Sequence, residues 1–163
     1  MGLKQFSEVQ LTQAQMELLK GKSIAIVTAQ WNKTVTHKLL SEAIKECNKF
    51  GFTKVHTYTV PGSYELILSC KWLVECKRFD AIIALGCVIK GETDHDLYIN
   101  QAITENLASV QIQSNIPIAL GVLTVNNAKQ AMERAGGIKG NKGKECVQAV
   151  AKMLLLKSEI ENF

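Results

Sequence analysis

The chain has 163 residues, 47% of them apolar, and a formal charge of +4 at neutral pH, which suits one domain around one sizeable core, and no second domain is expected. No apolar window reaches membrane-spanning length, and the opening Met1-Gly2-Leu3-Lys4-Gln5-Phe6-Ser7-Glu8 has no run fit for a secretion signal. A cytosolic protein that engages no membrane is expected.

Residues 1–22 read as an N-terminal arm. Ser23-Ile24-Ala25-Ile26-Val27-Thr28-Ala29 is a short apolar, β-branched run, expected as a buried strand. Val35, Leu39, Leu40, Ala43, Ile44 and Cys47 then recur at helical spacing, with Gly51 as the C-terminal cap. Lys54 to Val60 alternates like a second strand, Pro61-Gly62 breaks it, and Ser63 is expected to cap a helix running to about Lys77. Ala81 to Val88 is apolar throughout, as a central parallel strand should be, and a helix follows from near Asp94 towards Ser114. Ile118 to Leu123 predicts a fourth strand. A short helix over 128–135, a Gly-rich loop and a terminal amphipathic helix carrying Val147, Val150, Ala151, Leu154 and Leu155 on one face complete the chain. Strands alternating with helices imply right-handed crossovers and an α/β three-layer sandwich, a parallel sheet covered on both faces in the flavodoxin-like or Rossmann-like style. Ligands should collect beyond the strand C-termini.

The loops expected there carry unusual residues: Gln30-Trp31-Asn32, Pro61-Gly62-Ser63-Tyr64-Glu65, Lys90-Gly91-Glu92-Thr93-Asp94-His95 and Thr124-Val125-Asn126-Asn127. In the third, Gly91 lets the backbone turn closely, and Glu92, Thr93 and Asp94 put free N–H groups at a helix start, where a phosphate can bind. His95 follows on the first turn. A neutral imidazole can accept and donate a proton, so it is an acid/base candidate, with an exposed surface histidine as the competing reading. His37 and His56, on an ordinary helix and strand, lack that company. Trp31 is either a core aromatic or a flat face for a ring. Glu65 is either an exposed acid complementing a helix dipole or an acceptor for hydroxyls in a cleft.

Other classes are excluded by pattern. Cys47, Cys70, Cys76, Cys87 and Cys146 form no Cys-x-x-Cys pair and sit in apolar stretches, which points to reduced core thiols and implies no metal. The basic stretch Lys139 to Lys144 contains no aromatic residue, so it suits a small anion and not a nucleic acid. Gly137 to Gly143 has one residue too many for a Walker A loop, and neither G-x-G-x-x-G after the first strand nor G-x-S-x-G occurs.

Trp31-Asn32, Pro61 to Glu65, Gly86 to His95, Gly121-Val122-Leu123-Thr124 and Arg134-Ala135-Gly136 through Gly140-Asn141-Lys142-Gly143 together resemble the 6,7-dimethyl-8-ribityllumazine synthases, in that family's order and over nearly everything after Lys22. The resemblance implies a flavodoxin-like fold in a single domain. It also implies condensation of 5-amino-6-(D-ribitylamino)uracil with 3,4-dihydroxy-2-butanone 4-phosphate, in riboflavin biosynthesis, without metal or other cofactor. In the family the uracil amine forms a Schiff base, phosphate is eliminated, and the ring closes with loss of water. By the same resemblance His95 is the general acid/base and Trp31 stacks on the pyrimidine. Ser63, Tyr64 and Glu65 hold the uracil and ribityl chain, and Cys87, Val88 and Ile89 line the ring pocket. Glu92 and Thr93 bind phosphate, completed by Arg134 and Lys142 from a neighbouring subunit. The implied partner is therefore the chain itself, as a homopentamer or an assembly of pentamers up to an icosahedral shell.

Three positions depart from the family's pattern. Trp31 stands where many members have phenylalanine, Leu120 where an aromatic is usual, and Ile67 where proline is common. Trp31 keeps ring stacking, whereas Leu120 keeps apolar contact with the ring and loses one stacking face. A non-catalytic flavin or lumazine binder and a shell-forming structural protein are the rival readings of the same fold.

Overall fold

The computed structural model describes residues 8–162. In chain order it runs α1 (Gln13–Lys20), β1 (Ser23–Ala29), α2 (Lys33–Lys49), β2 (Lys54–Val60), α3 (Leu66–Glu75), β3 (Ala81–Ile89), α4 (His95–Ser114), β4 (Ile118–Val125), α5 (Ala128–Arg134), β5 (Ala135–Gly137), β6 (Gly140–Asn141) and α6 (Lys142–Glu161). Strands β1 to β4 form a parallel sheet in the order β2-β1-β3-β4. A helix crosses over between each successive pair, because parallel neighbours need a long return.

The central strands are apolar without alternation because both faces are covered. Ile24, Ile26, Ile83 and Leu85 point into a core shared with Val35, Leu39 and Ala43 of α2 and Val147, Val150 and Leu154 of α6. Ala25, Val27, Ile82 and Ala84 point the other way, onto Leu66 and Cys70 of α3 and Ile103 and Leu107 of α4. This is the expected three-layer α/β sandwich. The chain leaves β1 for β2 on one side, then returns to place β3 on the other, so the order reverses between β1 and β3. In open α/β sheets such a reversal marks the ligand-binding crevice, here at the C-terminal ends of those two strands, the β1–β3 crevice.

Several boundaries follow the sequence closely. Helix α2 ends as Gly51 predicts: Gly51 has φ +80, its N–H reaches the Asn48 carbonyl, and the Phe52 N–H reaches the Cys47 carbonyl. That pair of bonds is a Schellman motif, sealed by buried Phe50 and Phe52. Strand β4 extends to Val125, two residues beyond the apolar run, through ladder pairing with Val88 and Ile89.

Three expectations change. Ser63 is not the cap of α3: the helix starts at Leu66, Ser63 is buried, and its carbonyl accepts the Leu66 N–H. The Gly-rich loop is ordered as a small antiparallel β5–β6 ribbon, in which Gly136 and Gly140 have φ of +107 and +122. The arm contains α1, fixed by a reciprocal capping box between Thr12 and Gln15 and anchored in the core by Leu19. Threonine followed three residues later by glutamine was the available signal for that helix.

Candidate functional site

The β1–β3 crevice gathers most of the residues singled out in the sequence. Trp31 follows β1 and is 72% exposed, with its backbone N–H donated to the Pro61 carbonyl at 3.1 Å. That bond draws the loops after β1 and β2 together. Gly62 brings its Cα close to the ring, since a Cβ there would stand 3.7 Å from Trp31. Tyr64, 53% exposed, and Glu65 lie on the rim, and Glu65 Oε2 accepts the Gly62 N–H at 2.9 Å. Ser63 sits beneath them against β3, in space left by Gly86.

Cys87, Val88 and Ile89 form the C-terminal end of β3, with Cys87 buried and the other two half-buried. The Lys90 N–H is held by the Val125 carbonyl at 2.8 Å, so the 90–95 loop leaves from between β3 and β4. Glu92, Thr93 and His95 are all exposed. His95 opens the 20-residue helix α4, whose N-cap Asp94 makes no side-chain capping bond. The Leu97 N–H bonds to the Asp94 backbone carbonyl, while the N–H groups of His95 and Asp96 are not covered by the Asp94 side chain and can face an anion. His37 is exposed on α2, and His56 meets Phe79 edge-to-face with ring centroids 5.5 Å apart.

Leu120 and Lys142 lie elsewhere in the chain. Leu120, 41% exposed, is five residues short of the end of β4, about 16 Å along the strand. With Lys142 it lines a cleft of about 310 Å³ between β4 and α6 that also includes Gln111, Cys146 and Met153. Lys142 Nζ pairs there with Glu145 at 2.7 Å. Arg134 ends α5, directly before the β5–β6 ribbon that leads to Lys142, and its guanidinium donates to the Gln130 carbonyl at 3.1 Å. One chain therefore does not place Leu120 or Lys142 with the residues of the β1–β3 crevice. The basic stretch is also partly neutralised from within, because Lys144 pairs with Glu8 at 2.9 Å.

The thiols are core groups with one exception. Burial pushes Cys47, Cys70 and Cys146 up to about 12 and Cys87 up to about 11, which keeps them protonated, whereas Cys76 is exposed at the end of α3. Among the described residues no helix is long and apolar enough to cross a membrane.

Comparison with known proteins decides the lineage of this arrangement. The sequence model of one family, described as 6,7-dimethyl-8-ribityllumazine synthase, matches residues 21–158. The chain belongs to the 6,7-dimethyl-8-ribityllumazine synthase family. Among its relatives of that name, the protein from Limosilactobacillus reuteri is 40% identical over 142 residues, covering 87% of this chain and 93% of the relative. The one from Cytophaga hutchinsonii is 41% identical over 138 residues, 83% of this chain and 87% of the relative. The one from Coxiella burnetii is 39% identical over 140 residues, 85% of this chain and 93% of the relative. All the lumazine-synthase-like segments read from the sequence, from Trp31 to Gly143, fall inside the matched range.

Proposed function

We infer that this chain is a transferase that condenses 5-amino-6-(D-ribitylamino)uracil with 3,4-dihydroxy-2-butanone 4-phosphate, giving 6,7-dimethyl-8-ribityllumazine, inorganic phosphate and water in riboflavin biosynthesis. The observation that carries this reading is the family match over residues 21–158. The β1–β3 crevice, where family-matching residues converge, supports it.

The residue roles rest on the same match. Trp31 stacks on the pyrimidine, over a pocket wall made by Cys87, Val88 and Ile89. Ser63, Tyr64 and Glu65 hold the uracil and the ribityl hydroxyls. Glu92 and Thr93 carry the phosphate at the uncapped start of α4, where the helix dipole and free N–H groups favour an anion. His95, two residues after Thr93, exchanges protons as the imine forms, phosphate leaves and the ring closes. Much of the acceleration comes from holding two substrates in one geometry.

The site is shared between subunits in this reading. Leu120, Arg134 and Lys142 of one chain complete the crevice of its neighbour, and Arg134 clamps the phosphate with a charge-assisted bond. Two observations support a homo-oligomer, a pentamer or an assembly of pentamers. Leu120 and Lys142 line a separate cleft of their own chain. Leu68 and Trp72 of α3 and Leu97 and Tyr98 of α4 are exposed large hydrophobics of the kind subunit contacts cover. The enzyme works in the cytosol.

The test is formation of the lumazine from the two purified substrates, followed by absorbance and fluorescence. Turnover without added metal or cofactor is the expected result. A folded oligomer that retains flavin and gives no product would overturn the enzymatic reading in favour of a binder.

A further inference from the structure

Asn32 is the residue of the crevice to which neither the sequence patterns nor the family resemblance gave a role of its own. It is the N-cap of α2, yet its side chain does not cap: the Val35 and Thr36 N–H groups bond to its backbone carbonyl at 2.9 and 3.1 Å. Its backbone is left-handed, φ 58 and ψ 44, a conformation that asparagine tolerates better than most residues. The side-chain amide is spent across the crevice instead, where Nδ2 donates to the Cys87 carbonyl at 2.8 Å. The sheet explains why that carbonyl is available. Pairing of β1 with β3 ends at Thr28 and Leu85, so Cys87, two residues further and facing the same side, has no β1 residue beside it.

We propose that Asn32 is a positioning residue, which holds the Trp31 loop to the end of β3 so that the pyrimidine slot keeps a fixed width. Trp31 is then gripped from both directions. Its own N–H is tied to Pro61 beyond β2, and the next residue's side chain is tied to Cys87 at the end of β3. One wall of the slot is the ring of Trp31, and the other begins at Cys87. The bond from the Asn32 side-chain amide to the Cys87 carbonyl sets the gap that a flat ring must enter, and little else restrains an indole that is 72% exposed. This rests on the functional reading above, with Trp31 as the stacking face.

The variant Asn32→Gly separates the two things Asn32 does, since glycine keeps the left-handed backbone and loses only the amide. Trp31 and Trp72 are the two tryptophans of the chain, so a Trp72→Phe background leaves Trp31 as the sole emitter. In that background Asn32→Gly should speed the anisotropy decay of Trp31. The KM for ribitylaminouracil should rise roughly three- to tenfold, the scale of one lost neutral hydrogen bond, while that for the butanone phosphate stays within about twofold. Asn32→Asp, which replaces the donor by an acceptor facing a carbonyl, should give the same pattern more strongly. Unchanged Trp31 anisotropy, or KM values raised equally for both substrates, would overturn the proposal. So would failure of both variants to fold, which would make Asn32 a folding residue only. The anisotropy measurement needs no substrate, so an inactive wild type would condemn the functional reading and leave Asn32 to be decided by Trp31 alone.

Discussion

Glu65 Oε2 accepts the Gly62 backbone N–H at 2.9 Å, which turns the carboxylate back over its own loop. One oxygen is thereby committed to the protein, and the other is free for a ligand hydroxyl. Removing the group should therefore do two things. Glu65→Ala loosens the 61–65 loop and deletes an acceptor, whereas Glu65→Gln keeps a carbonyl oxygen for Gly62 and loses only the charge. The expected result is a rise in KM for ribitylaminouracil of roughly tenfold or more for Glu65→Ala, in line with a lost bond to a charged group, and a smaller rise for Glu65→Gln. Steady-state kinetics with each substrate varied in turn would check it. Equal effects on both substrates would remove Glu65 from the ribityl side of the site.

Gly86 makes room for the same loop. A Cβ at position 86 would lie 2.5 Å from Ser63 Oγ and 3.3 Å from Leu66 Cδ1. Both neighbours are buried, so neither can swing into solvent. Gly86→Ala should cost about 1–3 kcal/mol of stability, as overpacking does, and should push Ser63 outwards. Thermal or urea denaturation measures the first effect and the KM for the uracil substrate the second. A variant as stable as wild type would show that the 61–66 segment yields easily.

The sandwich was legible because its signals are local. Continuous apolar runs at Ile24 to Val27 and Ala81 to Leu85 can be buried on two faces only in a covered parallel sheet, and Gly51 marks a left-handed helix end. The loops after β1, β2 and β3 that form the crevice were legible for the same reason, since each follows its strand directly. What escaped depends on contacts distant in sequence. Ser63 looked like a cap, yet its place is set by the missing side chain of Gly86, 23 residues later. Asn32 looked like one letter of a motif, while its amide answers Cys87, 55 residues away. Leu120 and Lys142 resembled members of one site, and only the fold places them in a cleft between β4 and α6. Helix α1 was missed for a plainer reason, a capping box inside a polar segment.

Glu42 should make the fold acid-sensitive. Its carboxyl is lowered from 4.5 to about 2, first by a hydrogen bond from Lys45 at 2.8 Å, with Asn141 and Lys38 adding to it and burial opposing. Asn141 caps α6 as well, so Glu42 fastens the β5–β6 ribbon to α2. A depressed folded-state value means that the stabilisation is present above about 4.5 and is lost as pH falls towards about 2. Urea midpoints measured from pH 7 to pH 2 should therefore drop across that window in wild type. In Glu42→Gln the midpoint should start lower and fall less steeply. Parallel curves for the two proteins would mean that Glu42 gains nothing from its three partners on folding.

A shared site makes a prediction that no single variant can. His95→Ala removes the proton-transfer group on one side of the proposed interface, and its exposed position on the first turn of α4 should leave fold and assembly intact. Its turnover should fall roughly ten- to a hundredfold, less than for an enzyme that relies on acid/base chemistry alone, because positioning remains. Arg134→Ala removes the phosphate clamp on the other side and should raise the KM for the butanone phosphate more than that for the uracil. If the two sides of one site come from different chains, subunits of the two variants unfolded together and reassembled at equal ratio should form interfaces of four kinds. In about a quarter of them His95 of one subunit meets Arg134 of the next, so activity should return to about a quarter of wild type. Recovery would place both residues at one interface. A mixed assembly no more active than the average of its parents would put His95 and Arg134 in the site of a single chain, and the path from Arg134 to the start of α4 would then have to close within one subunit.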